Sequence, residues 1–393
     1  MKKTIIIISV ILGILAMAVG VYFAWKKSRE LLVPPVIQQP AAGEQQLPAL
    51  AERKIKILSD QPIFDYWIYR PEFGVVATST ATSTKTITRD SIVFYLNQDG
   101  LIFRVKEDAE DEAITPEPIE NVQLVKFSSN GKFALIKFWD ANFSGFVIFN
   151  GETKVQEFLP ENITAAAFSP DGKKIVYLQK QVGFKTASDL IVKELTGAKP
   201  KTVKILSFNQ MDFDLDWILP ETVILAPKPS AFSAVSAWSV DIKNKNFKPL
   251  WPIDLNGLTI NWSIDGRTDG KLGLQFNSGK EGNKDSLIMI NEKGEKRANF
   301  DFLTLPNKCF FAEPKIYCAV PLEIPKDTIL PDDYLKKAVY FKDFLYQIDV
   351  SQNSLSEIFS APEPIIDATR LFVSNNQLLF INRYDNRLYS LEL

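Results

Sequence analysis

The sequence predicts an all-β chain folded as a seven-bladed β-propeller, with six or eight blades as the neighbouring counts, preceded by one transmembrane helix. Three observations carry that expectation. Residues 168–178, FSPDGKKIVYL, read as one hairpin: an aromatic, a polar turn built on Asp and Gly, then an alternating apolar strand. Weaker copies of this unit recur along the chain at the period of a four-stranded blade. Helical periodicity is almost absent after the first 25 residues.

The N-terminus comes first. Lys2 and Lys3 precede residues 4–25, a run without a charge that is long enough to span a hydrocarbon core. Tyr22 and Trp25 fall where an interfacial belt would lie, and Lys26, Lys27 and Arg29 end the run. Ala16-Met17-Ala18 resembles a signal-peptidase site, but seven further apolar residues follow it, which favours an uncleaved anchor. A tail of residues 1–3 ahead of a large domain reads as a signal anchor with the domain exported, periplasmic or on the cell surface. Residues 26–53 are rich in Pro, Gln and Ala and form an extended tether. Residues 78–88 (TSTATSTKTIT) read as a low-complexity loop.

The repeat anchors are Trp67, Phe127, Phe168, Trp217, Trp262, Phe310 and Phe372, separated by 60, 41, 49, 45, 48 and 62 residues. Each is followed by two or three strand-like runs, except that too few residues follow Phe372 to make a fourth strand. An open ring would leave bare edges. Residues 54–59 (KIKILS) form a spare strand just past the tether and are expected to close the propeller, which then occupies 54–393.

FSPDGKKIVYL resembles the repeat of TolB-type, WD-like propellers, with partial echoes at Phe127 and Trp262. The resemblance implies an exported binding scaffold and assigns no catalytic residue.

Composition narrows the chemistry. Charge is nearly balanced, 45 basic against 47 acidic residues, so no nucleic-acid partner is indicated. There is no His, which removes every His-dependent triad and zinc motif. No GxSxG and no Gly-rich phosphate loop after a strand is present, and no cofactor is expected. Asp212, Asp214 and Asp216 alternate with Phe213, Leu215 and Trp217. Period two puts the three carboxylates on one strand face, a candidate cation site if that face meets the central channel. Cys309 and Cys318 come opposite one another if Phe311 and Ile316 pair around the turn 312–315, a geometry open to a disulfide.

Loop lengths give the remaining signal. Second-to-third-strand loops are long and carry aromatics, and in a propeller they share one face. Trp139, Phe143, Phe184, Phe232 and Tyr334 are the expected contact set there, with 331–341 forming a short helix over that face or a local plug. The leading functional expectation is a non-catalytic protein-binding or scaffold module, membrane-held through 4–25, with an envelope protein as partner. The alternatives are a glycan- or peptide-hydrolysing propeller using channel-mouth carboxylates and a cation or ligand sensor.

Overall fold

Seven sheets are arranged in a ring, six of four antiparallel strands and one of six, and their strand order explains why the aromatic anchors recur. In the computed structural model the described residues are 55–71, 91–107, 109–140, 144–183, 186–197, 199–210, 212–263, 271–279, 286–352, 354–360 and 364–393, with Val36–Gln38, Met17, Gly20 and Tyr22 before them. The span expected over 4–25 lies outside them apart from those last three residues. So do Lys54, the loop 78–88 and the tether, save Val36–Gln38. Among the described residues no helix is long and apolar enough to cross a membrane.

The innermost strands are Ile63–Tyr69, Val122–Phe127, Ile163–Phe168, Phe213–Leu219, Leu255–Trp262, Cys309–Ala312 and Ala368–Ser374. Each carries one anchor aromatic. Both faces of every blade are covered by a neighbour, so alternate residues of a strand serve opposite interfaces. In blade 3, Ala165, Ala167, Val176 and Leu178 pack toward blade 4, whereas Ala166, Phe168, Ile175 and Tyr177 pack toward blade 2. Seven apolar clusters result, one at each blade interface, including that between blade 7 and blade 1.

The last blade takes its outermost strand from the N-terminal side. Ile55–Ile57 pairs antiparallel with Tyr389–Leu391, and Leu58 and Ser59 add hydrogen bonds to the backbone of Leu388. Blade 5 is enlarged at both edges. Val36–Gln38 lies parallel to its outer strand, so part of the tether is a strand, although the residues there show no strand periodicity. Ala234–Val235, from the long loop of blade 4, pairs with the start of its inner strand.

The turn of FSPDG is a closed hydrogen-bond set. The Ser169 hydroxyl donates to the Asp171 carboxylate at 2.6 Å and accepts from the Lys174 N–H at 2.9 Å, while Asp171 accepts from the Lys173 N–H. Burial opposes ionisation of Asp171, but these hydrogen bonds and the nearby lysines outweigh it and hold the carboxyl below its ordinary value. Ser128 and Asn130 reproduce the arrangement in blade 2, with Gly131 at φ +68°. These acids and amides are turn-formers.

In blade 6, Phe311 pairs with Ile316 and Cys309 with Cys318, and the two sulfurs are bonded, with Cα atoms 4.1 Å apart. The bridge is buried and closes a short loop, nine positions in sequence. Replacing both cysteines by Ala should therefore lower stability by about 2–3 kcal/mol, measured by urea denaturation. An unchanged midpoint would show that the hairpin is held by its core contacts alone.

Candidate binding face and channel mouth

Strand direction sorts the loops. Each inner strand starts on the face that carries the second-to-third-strand loops and the crossings between blades. The opposite face carries mainly short turns such as FSPDG. Trp139 ends the second strand of blade 2 on the loop face and is 49% exposed; Phe232 stands on the long loop of blade 4 and is 71% exposed. Phe143 and Phe184 lie outside the described residues. Val182, Ile253, Leu335 and Tyr384 add exposed apolar surface on the same face, whereas Val155 stands at the opposite end of its blade.

Tyr334 does not belong to that exposed set. It is 3% exposed, stacked on Phe341 with ring centroids 5.6 Å apart, under the guanidinium of Arg383 at 3.8 Å. The helix Asp332–Leu335 forms after Pro331 as the pattern of Pro and two acids predicts. Asp332 of its first turn is buried, Asp333 accepts the Ile329 N–H, and Tyr334 joins the apolar cluster between blades 5 and 6 while lying under Arg383 of blade 7. This residue is a plug. Leu335, one position on, is the exposed one.

Two long loops meet above blade 5. The Asp332 carboxylate accepts the Ala231 N–H at 2.6 Å, and the Gly257 N–H donates to the Ser230 carbonyl at 2.7 Å. Beneath this junction lies a cavity of about 500 Å³ at the channel mouth. Its walls are largely apolar, with Leu124, Leu258, Ile260 and Leu335 among them, and its polar groups include Lys126, Asp214, Asp216 and Lys228. A volume in this range suits a ligand or several side chains of a partner.

The alternation in 212–217 is as the sequence implies. Phe213, Leu215 and Trp217 are buried, and Asp212 and Asp214 are exposed. Lysines interleave with the acids. Lys126 reaches from blade 2 across the alanine-rich inner strand of blade 3 to the Leu215 carbonyl and, at 3.4 Å, to Asp216. Burial pushes the Lys137 ammonium below its ordinary value, against the attraction of Asp214. Among the described residues no three acidic or cysteine side chains converge to hold a metal ion. Strand geometry is the reason: carboxylates two residues apart are displaced by about 7 Å along the strand, and one of them is already committed to Lys126.

A second charged assembly, unforeseen in the sequence, is wholly buried. Lys308 ends the turn Pro306–Lys308 and donates to Asp343 Oδ2 and to Asp367 Oδ1, each at 2.6 Å. Asp367 Oδ2 accepts from Arg383 at 2.7 Å and from the Phe341 N–H at 3.0 Å. Arg383 also donates to the Tyr334 carbonyl. Lys308, Asp343 and Asp367 have no solvent-exposed side-chain surface. Burial opposes the charge on Lys308, but the two carboxylates hold its ammonium above the ordinary lysine value. The assembly joins the loop of blade 6 to blade 7.

No family model matches the sequence, and no curated protein matches it either. Solved structures do. Oligogalacturonate lyase from Vibrio parahaemolyticus is 11% identical with a TM-score of 0.50, covering 87% of this chain and 98% of its own. The tricorn protease is 12% identical with a TM-score of 0.47 over 83% of this chain, which spans only 34% of that protein. TolB from Acinetobacter baumannii is 8% identical with a TM-score of 0.34, over 77% of this chain and 59% of its own. At 11% identity the likeness to the lyase is one of fold alone.

Proposed function

We propose that this chain is a membrane-anchored, exported propeller that acts as a non-catalytic protein-binding or scaffold module in a cell-envelope assembly, engaging its partner through the loop face. The supporting observation is the concentration there of exposed large apolar side chains around a mostly apolar cavity. Isolated exposed apolar residues are ordinary on any protein; clustering on one face is the mark of an interface. The Lys126–Asp216 pair would orient a partner on that surface.

Photo-crosslinking from positions 139 and 232 in native membranes should trap one envelope protein. The same crosslinker at Phe247, exposed on the outer strand of blade 4, should not. Trp139→Glu and Phe232→Glu should each weaken binding of that protein at least about tenfold, as for interface aromatics. Equal crosslinking from all three positions, or binding unmoved by both substitutions, would overturn the assignment of the face. Extraction by alkaline carbonate would overturn the anchor, and resistance of the propeller to protease in spheroplasts would overturn its export.

A further inference from the structure

The insertion 322–342 roofs the channel mouth through Pro331 and Leu335 and is fastened from below by the buried charges. The groups facing Asp343 come from every element packed around it: Lys308 from the turn Pro306–Lys308, Tyr334 from the insertion, Asp367 from the approach to blade 7, and Arg383 and Tyr384 from the turn that follows its second strand. With all four formal charges present the set is neutral, two cations against two carboxylates. Its solvation is uneven. Asp343 Oδ2 accepts from Lys308 and from the Ala368 N–H, but Asp343 Oδ1 is buried with no hydrogen-bond partner. A carboxylate with one oxygen unsolvated is costly, and neutralising it relieves that cost.

We propose that this cluster is a proton-linked latch: the insertion sits tightly over the channel mouth when Asp343 is protonated and opens more readily when it is ionised. Opening needs Tyr334 and Phe341 to lift from above Lys308, whose ammonium lies 5.0 and 5.7 Å from their ring centres. Water then reaches Asp343, and its carboxyl returns toward the ordinary value.

In the closed form burial, opposed by Lys308 and reinforced by Asp367, pushes the Asp343 carboxyl up to about 6. The closed form thus binds the proton more tightly than the open form. Its advantage is complete below the ordinary carboxylate value and is lost as pH rises through about 6. Lys308 and Tyr334 are both shifted upward, Tyr334 chiefly by burial, so neither titrates in that window.

Amide hydrogen exchange on the full chain, corrected for the intrinsic pH dependence, tests this. The opening equilibrium for 329–342 should rise about twentyfold between pH 4.5 and 8. Asp343→Asn keeps the acceptor for Lys308 and Ala368 but cannot titrate, and should abolish the slope. A flat wild-type profile, or an unchanged slope in D343N, would overturn the latch. Should D343N fail to fold, a carbon-13 titration of the wild-type Asp343 carboxyl decides. A midpoint near 6 supports the proposal, and one near the ordinary carboxylate value overturns it.

Discussion

Lys308→Met should lower stability by about 3–5 kcal/mol, read from urea denaturation of the propeller at pH 7. The substitution leaves the buried Asp343 and Asp367 carboxylates facing an apolar side chain, each having lost its 2.6 Å partner, and only Asp367 keeps a cation, Arg383 at 2.7 Å. The attraction within a buried pair offsets a desolvation cost that persists when one member is removed. The large effect therefore measures the stranded charges, not the worth of the pair. Lys106→Met is the matched control. Its pair with Glu112 is also within hydrogen-bond distance, at 2.9 Å, but exposed to water. The expected change is within about 0.5 kcal/mol. If the two variants lost similar stability, the cluster would not be the fastening that holds the blade 6 insertion to blade 7. Adding Asp343→Leu to Lys308→Met should recover part of the loss, since it removes one stranded carboxylate.

Gly131→Ala should cost about 3 kcal/mol or more. A β-carbon there would stand 1.8 Å from the Ile68 carbonyl oxygen, on the neighbouring blade, and 2.5 Å from its carbon. Those are backbone atoms within an inner strand, so they yield only if the joint between blades 1 and 2 shifts. The φ of +68° adds its own cost for any residue with a β-carbon. Gly183→Ala isolates that second contribution: φ is +85° but nothing lies within 4 Å. It should cost about 1 kcal/mol. Thermal or urea unfolding of the two variants separates conformational strain from contact between blades. Equal losses would mean that the inner-strand joint is softer than its geometry implies.

The ring was legible because its grammar is local. An aromatic, a tight turn and an alternating strand are all decided within a dozen residues, and the repeat multiplies the signal. The pairing of Cys309 with Cys318 was legible for the same reason, since one turn sets the register of its whole hairpin. Lys308, Asp343, Asp367 and Arg383 were not. They come from a short turn, two strand approaches and a hairpin loop, and only the ring brings them within hydrogen-bond distance. Nothing about an isolated Lys or Asp in such positions distinguishes a buried charge from a solvated one. Tyr334 reads as an outer-surface residue in the sequence because a helix of four residues is too short for a periodicity that would reveal its buried side. The acids at 212–216 show the reverse limit: their shared strand face was readable, but not the lysines of blade 2 that meet them.

The pairing of Ile55–Ile57 with Tyr389–Leu391 has a consequence for how the chain is made. The two parts of that blade are synthesised far apart in time, with Ser59 and Leu388 329 positions apart. No partial product can complete the ring. Ile55–Ile57 must stay unpaired until Arg387–Glu392 has emerged, with its hydrogen-bonding edge open to the wrong neighbour. Ring closure thus waits on Arg387–Glu392: a ribosome that stalls before that strand has emerged yields six blades and an unsealed seventh.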